Sequence, residues 1–565
     1  MAEKYLVTSA LPYANGPLHL GHIAGAYLPA DIFVRYCRMK KRDVIYICGT
    51  DEHGVPITIT ADKEGVTPFE VATRYHKIIY DDFIKLGMSF DNFSRTSLPI
   101  HHELSQKFFL RLLENGYIKK ATMQQLYCPK CQRFLPDRYI EGTCPYCNSA
   151  EARGDQCEQC GKWLDPMEII SPHCKICNSI PEIKETEHWF LLLPKFAQKL
   201  SSWLENKKYW RDNVRNYSLN LIKEGALVER AITRDLDWGV KVPLAEAGNK
   251  VLYVWFDAPI GYISSTIEWA QKIGEPERWK EYWLNPECKL IHFIGKDNIV
   301  FHTIVWPSML MGYGEYILPE NVVANEFLNF EERKFSTSRG WAVWLGAFLS
   351  DFSPDLLRYY LTYNAPETTD VNFSWTDFQS RTNSDLSDTL GNLVNRSLKF
   401  IEKYFNNQVP PLNSLSETDL AILETIEKTP QKVGEWLDKF KFKFALKELL
   451  SLVHRANGYL NDKKPWETRK ENPKDCETTL NICAQLIRTV AILSSPFMPE
   501  TSEKIWNMLN LEGQAKCEEW DEAGKPVIAS GHRLGKLKIL FPKIEDEKIQ
   551  FQLDKLKILG EGKEE

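Results

Sequence analysis

A short apolar run opens the chain. Lys4-Tyr5-Leu6-Val7-Thr8-Ser9 has the pattern of a short buried strand, followed by a loop rich in Pro, Asn and Gly and a helical periodicity from about Leu18 to Met39. Asp43 to Gly49 is a second strand, and helical patterns fill about 66 to 116. Strand, turn and helix in this order open a nucleotide-binding α/β unit. A cysteine-rich stretch then breaks the rhythm. The strand-like runs Val251–Phe256 and Leu290–Ile294 restore it, so the segments before and after the insertion are expected to complete one doubly wound sheet. After about Asn383 the strand signal fades. Amphipathic stretches at 384–405, 417–437, 440–461 and 476–508 predict a helical bundle, and residues from about 544 to 565 a charged, mobile tail.

Length bears on this division, because 565 residues exceed what one core fills and call for several domains. The net charge of −6 argues against non-specific coating of nucleic acid, yet leaves room for a local basic stripe. Neither an apolar leader nor a membrane-length apolar run is seen, so a cytoplasmic protein is expected, with no membrane partner. Eight of the 14 cysteines form four C-x-x-C pairs, Cys128/Cys131, Cys144/Cys147, Cys157/Cys160 and Cys174/Cys177. In a reducing compartment these read as two tetrahedral thiolate zinc sites, which the pairs can form in three ways. Full thiolate ligation leaves no open position for water, so such zinc is structural.

Two segments carry candidate phosphate chemistry. In Ala10-Leu11-Pro12-Tyr13-Ala14-Asn15-Gly16-Pro17-Leu18-His19-Leu20-Gly21-His22, two imidazoles lie three residues apart, on one face of a helix's first turn. Backbone N–H groups there favour an anion, and Gly21 permits close approach of a nucleoside. Far downstream, Lys334-Phe335-Ser336-Thr337-Ser338-Arg339-Gly340 is a basic, hydroxyl-rich loop able to close over a triphosphate. Taken singly, the histidine pair has a bland reading, as two surface histidines on a helix.

Together, H-x-G-H and K-F-S-x-S resemble the two signatures of class I aminoacyl-tRNA synthetases. The blocks Gly49–Gly54, Ile232–Gly239, Trp255–Tyr262 and Phe293–His302 narrow the resemblance to the methionyl family, over about residues 5 to 470. It implies methionine activation by ATP, with Mg2+, and transfer to the 3′ end of tRNA(Met). His19, His22 and Lys334 would be catalytic, and Gly21, Gly295, Asp297, Ser336 and Thr337 would contact ATP. Ala10, Leu11, Tyr13, Asp51, Trp255, Ala258, Pro259, Tyr262 and His302 would form the methionine pocket, with Asp51 on the ammonium and aromatic walls suited to a thioether. Thr337 stands where the family's loop carries a second lysine, so that position is carried over without a role. The resemblance also favours a nested zinc arrangement, inner pairs together and outer pairs together, with one or two ions.

On the helical side, Leu386, Leu390, Leu393, Val394 and Ile401 share one face, which turns Asn392 and Arg396 to solvent. These two and Trp466 match family positions that read the anticodon, Trp466 by stacking on an unpaired base. The implied division is 1–117 and 231–325 for the two halves of a Rossmann-type catalytic domain, 118–230 for the zinc-knuckle insertion, and 326–382 for a linking domain carrying the loop. An all-α anticodon-binding bundle over 383–545 and a charged tail over 546–565 complete it. The alternatives are another class I synthetase, which would need a larger editing insert, and a zinc-dependent tRNA-binding protein without catalysis.

Overall fold

The apolar run at the N-terminus has a direct structural consequence. In the computed structural model, which describes residues 3–136, 139–150, 152–154, 157, 159–160, 162, 164–334 and 341–561, strand β1 (Lys4–Ser9) has a core on each side. Tyr5 and Val7 enter one core and Leu6 the other; in β2 (Asp43–Thr50), Tyr46 and Cys48 face the first core, Ile45 and Ile47 the second. With β3 (Asn92–Arg95), β4 (Lys289–Gly295) and β5 (Asn321–Asn325), these strands form a wholly parallel sheet in the order β5-β4-β1-β2-β3. The chain leaves β1 on one side and returns on the other, so the strand order reverses between β1 and β4. Ligands of such sheets bind outside the carboxyl ends of the strands at that point.

The expected helix from Leu18 to Met39 exists in three pieces: a turn at Leu20–His22, a π-helical segment Ile23–Tyr27, and α1 (Leu28–Met39). Pro29 has no N–H to donate, and its ring would strike the carbonyl four residues earlier, so the backbone widens there. Pro307 stands in the same relation to the π-helical segment Phe301–Val305. Helices α2 (Pro99–Glu114) and α3 (Gly261–Lys272) pack against each other, and α3 lies on β2 and β3.

Three expectations differ from what is observed. The stretch 66–116 is not all helical, because Asn92–Arg95 is the edge strand β3. Only Val251–Leu252 of the strand-like run 251–256 is a strand; it pairs with Thr233–Arg234 outside the main sheet, and Val254–Asp257 is helical. The fifth strand is instead Asn321–Asn325. Residues 546–561, read as tail, form a helix whose Ile549 is buried and whose Gln552 donates to Asp351 at 2.7 Å.

The insertion rises on a ten-residue antiparallel pairing of Ile118–Cys128 with Glu182–Leu191. Its cysteine module has a small core of its own, including Leu126, Leu135, Tyr139 and Ile140, which reaches Val55 and Ile59 of the catalytic part. Beyond the sheet, α4 (Asn392–Tyr404), α5 (Glu417–Asp438), α6 (Phe442–Lys463) and α7 (Pro473–Ser494) form the helical region, sharing a core with the α1 side of the sheet. The stretch 476–508 is divided where Pro496 and Pro499 interrupt it, the second of these opening the helix Pro499–Met508.

Candidate active site

The crevice at the strand ends holds the histidine motif. His19 caps the turn Leu20–His22: its Nδ1 accepts from the Gly21 N–H at 3.1 Å, while His22 Nδ1 accepts from the His19 N–H at 3.2 Å. Two acceptor Nδ1 atoms put the proton of each neutral ring on Nε2, so both imidazoles are donors there. The rings stack with centroids 3.7 Å apart. Burial in the crevice lowers the His22 pKa to about 4 and holds His19 well below its ordinary value, His22 adding to the effect. The pair therefore offers N–H donors without net charge.

Backbone pairing joins this motif to the far loop. Leu20 N–H donates to Val343 O at 3.1 Å, Leu345 N–H to Leu18 O at 2.8 Å, and His19 bridges Trp344. The chain leaving the K-F-S-T-S segment is thus fastened to the histidine turn, far away in sequence but adjacent in space. The backbone of Lys334 pairs with Asn329 at the loop's entry, and Arg333 lies over the Trp341 ring at 5.2 Å. Ser336 and Thr337 lie outside the described residues. Across the crevice, Gly295 ends β4 in a position where a Cβ would meet Asp297 Oδ1 at 2.6 Å, so only glycine admits the observed Asp297 side chain.

The residues expected to hold methionine come from the ends of β1 and β2, the turn before α3, α3 itself and the segment Phe301–Val305. Asp51 N–H donates to Pro12 O and Ala14 N–H to Asp51 O, which pins the Leu11–Ala14 loop to β2. Ala10 N–H donates to Phe293 O, and Tyr27 hydroxyl to Ala10 O. Asp51 is buried, and burial, reinforced by nearby Asp257, pushes its pKa well above the ordinary range. Trp255 Nε1 donates to Tyr13 hydroxyl at 3.2 Å, and the Trp255 ring meets Phe301 at 4.3 Å. Ala258 and Pro259 sit in the turn before α3, where Gly261 leaves space for Leu11. His302 Nδ1–H donates to Asn298 O at 3.0 Å, so its Nε2 accepts the Tyr262 hydroxyl at 2.8 Å, and burial lowers the His302 pKa to about 4. A cleft opens beside this wall, between Tyr13 and Trp255 on one side and Gly54, Val55, Arg234 and Trp238 on the other.

The cysteines assemble as inner with inner and outer with outer. Cys128, Cys131, Cys174 and Cys177 form one cluster, Cys144, Cys147, Cys157 and Cys160 the other. Sulfur separations include 3.4 Å (Cys128–Cys177), 3.9 Å (Cys131–Cys174), 3.9 Å (Cys144–Cys160) and 3.6 Å (Cys147–Cys157). A tetrahedron with Zn–S bonds of ~2.3 Å has edges of about 3.8 Å, so both donor sets fit a zinc ion. The Ser179 hydroxyl lies 3.1 Å from Cys128 Sγ and 3.0 Å from Cys177 Sγ, and the Cys131 N–H donates to Cys128 Sγ, as outer partners of thiolates do.

In the helical region, Arg396 lies over the Trp466 ring at 5.4 Å and donates to Asn461 Oδ1 at 3.1 Å, with Asn392 exposed one turn earlier on α4. Trp466 is 43% exposed. Asn461 was not anticipated, nor were Phe301 and Asp257, although both of the latter stand inside quoted motif blocks. His53 likewise lies in a quoted block but had no role assigned.

Comparison with known proteins places this fold and crevice among the class I tRNA synthetases: the sequence family described as tRNA synthetases class I (M) matches residues 5–398, and the anticodon binding domain of methionyl tRNA ligase matches 409–557. The methionine–tRNA ligase of Pyrococcus furiosus is 49% identical over 97% of this chain and 76% of its own length; that of Rubrobacter xylanophilus is 48% identical over 97% and 96%. The crystal structure of Mycobacterium tuberculosis methionyl-tRNA synthetase bound by methionyl-adenylate superposes with a TM-score of 0.78 at 26% identity, covering 95% of this chain and all of that one. The chain belongs to the methionyl-tRNA synthetase family.

Proposed function

We propose that this chain activates L-methionine with ATP and transfers it to the 3′ end of tRNA(Met). A carboxylate oxygen of methionine attacks the α-phosphorus of ATP, taken as its Mg2+ complex. The bond to the bridging oxygen breaks and pyrophosphate leaves with its electron pair. The terminal ribose 2′-hydroxyl of tRNA then attacks the methionyl carbonyl, losing its proton as AMP departs. Positioning and charge stabilisation carry both steps, without a protein nucleophile.

The observation that carries this reading is the pairing of Leu18–Leu20 with Val343–Leu345, which fastens the turn bearing two Nε2–H donors to the chain that follows the K-F-S-T-S segment. His19, His22 and Lys334 serve the phosphates, while Gly21, Gly295, Asp297 and Ser336 contact ATP. Asp51 receives the ammonium, whose charge offsets the cost of ionising a buried carboxylate. Leu11, Tyr13, Trp255, Ala258, Pro259, Tyr262 and His302, with Ala10, enclose the side chain. Zinc in the two cysteine clusters would act structurally, and Asn392, Arg396 and Trp466 would read the anticodon. The domain division is that given by the sequence, except that 546–561 continue the helical region. Among the described residues no helix is long and apolar enough to cross a membrane, and all 14 cysteines are free, which suits the cytoplasm.

Methionine-dependent ATP–pyrophosphate exchange, run with all twenty amino acids, tests the reading. Exchange with methionine alone is expected, reduced on the order of 10²- to 10³-fold by His22→Ala. No exchange with any amino acid in folded, zinc-loaded protein would overturn it in favour of a tRNA-binding protein without catalysis.

A further inference from the structure

Beneath the methionine crevice lies a polar cluster that the proposed chemistry does not use. His53 and Asp257, 1% and 0% exposed, are 204 residues apart in sequence, and His53 Nδ1–H donates to Asp257 Oδ2 at 2.6 Å. His53 follows Asp51 by two residues, and its backbone N–H lies 3.4 Å from Asp51 Oδ1. Asp257 stands between Trp255 and Ala258. One hydrogen bond therefore ties the segment offering the ammonium-binding carboxylate to the segment forming the side-chain wall.

The surroundings hold both partners in place. Gly54, at φ +99°, turns the chain sharply after His53, a conformation that side-chain-bearing residues rarely adopt. The Trp238 ring meets His53 edge-on at 5.6 Å, and Trp238 Nε1 donates to Glu52 O. Glu52 is itself held by Arg95, Thr50 and Ser97, which leaves His53 to serve Asp257. His101 Nε2 lies 3.3 Å from Asp257 Oδ2 and 3.2 Å from Ser105 Oγ. His101 Nε2–H faces the Asp257 carboxylate, so its Nδ1 accepts the Ser264 hydroxyl at 3.1 Å, and Asp257 Oδ2 receives a long bond from His101 beside the short one from His53. The close bond to Asp257 is thus that of His53. The donors of His53, His101 and Asp257 lie within 4.8 Å of one another, and His53 Nδ1 and Asp257 Oδ2 are at hydrogen-bond distance.

We propose that His53 and Asp257 are positioning residues of the amino-acid site, acting through their hydrogen bond to fix Asp51 relative to Trp255 and Ala258 without touching the substrate. The inference rests on the reading of Asp51 as the ammonium partner. A site holds its ligand only as tightly as its supporting shell is fixed, and a buried hydrogen bond to a carboxylate is the strong kind.

The experiment measures KM for methionine and for ATP, and kcat, in pyrophosphate exchange with full-length protein. His53→Leu removes the donor, whereas His53→Asn keeps an N–H near the Nδ1 position. Wild-type exchange with methionine is the control that keeps failure of the functional reading separate. The expected result is a methionine KM at least tenfold higher in His53→Leu, with ATP KM and kcat within about twofold, and recovery to within about threefold of wild type in His53→Asn. If His53→Leu fails to fold, Asp257→Asn, which retains shape but offers a weaker neutral acceptor, should raise methionine KM three- to tenfold by itself. An unchanged methionine KM in the variant that folds, equal damage from His53→Leu and His53→Asn, or a parallel rise in both KM values would overturn the proposal. So would a third metal ion per chain that disappears on substitution of His53.

Discussion

Arg358 and Asp31 form an ion pair in which neither side chain reaches solvent, with Arg358 Nη2 donating to Asp31 Oδ2 at 2.7 Å. Arg358 also donates to the carbonyls of Pro496 and Phe497, just after α7, while Asp31 accepts from Arg35 and from the N–H and hydroxyl of Ser89. The pair therefore joins α1 of the sheet domain, the helix Pro354–Tyr363 and the helical region at one point. Breaking such a pair from one side leaves an uncompensated buried charge.

Arg358→Met should accordingly cost about 3 to 5 kcal/mol, read as a lower urea midpoint of unfolding. The pH dependence follows from Asp31. Burial would raise its pKa, but Arg35, Arg358 and Ser89 hold it well below the carboxylate range. A depressed folded pKa stabilises the protein above the unfolded value of about 3.9, and that stability is lost as pH falls below it. Asp31→Asn should flatten the urea midpoint against pH in that acid window and lower it at pH 7. An Asp31→Asn protein with an undiminished midpoint at pH 7 would contradict this.

His302 makes a different prediction, in a different window. Its pKa, lowered to about 4 by burial despite the bond to Asn298 O, keeps it neutral in the fold, while the unfolded chain takes up a proton near pH 6.5. Its contribution is complete above about 6.5 and is lost between there and 4, at about 1.4 kcal/mol per pH unit. His302→Gln should reduce the slope of stability against pH by about that amount between pH 6 and 5. An unaltered slope would mean that His302 is protonated in the folded state.

The two thiolate clusters predict separable metal content. Cys131→Ser should remove the ion of the outer cluster and Cys147→Ser that of the inner one, each taking zinc from two to one per chain by atomic absorption. Since each cluster draws its ligands from two C-x-x-C pairs that lie in one module, exchange activity should survive either change. Loss of both ions from one substitution would show that the clusters form a single cooperative unit.

How much of this was legible in the sequence depended on how local its physics is. β1 and β4 are short apolar runs buried on both faces, visible within a few residues, and the H-x-G-H and C-x-x-C chemistry is written in contiguous motifs. β3 was missed because Asn92-Phe93-Ser94-Arg95 carries little apolar signal; Asn92 is buried because its side chain is satisfied by Ser265 and Glu268 of α3. The run 251–256 has strand propensity, yet Val254–Asp257 turns helical, in the segment where Trp255 meets Tyr13 and Phe301. The helix of 546–561 hides its buried face, Ile549 and Leu553, among charges. The bond between His53 and Asp257 spans 204 residues and has no local signature.

The patch formed by Arg396, Trp466 and Asn461 yields the last prediction, which separates tRNA recognition from amino-acid activation. Stacking of one base on an aromatic ring contributes ~1 to 3 kcal/mol, so Trp466→Ala should lower kcat/KM for tRNA aminoacylation by about 5- to 150-fold. Arg396 lies over that ring and is steadied by Asn461, so Asn461→Ala should produce a smaller loss by releasing the guanidinium from a fixed direction. Both residues belong to the helical region, and methionine-dependent pyrophosphate exchange should stay at the wild-type rate in both variants. If exchange fell in step with aminoacylation, the patch would be a structural support of the catalytic domain. If neither activity changed, the anticodon would have to be read elsewhere on the helical region.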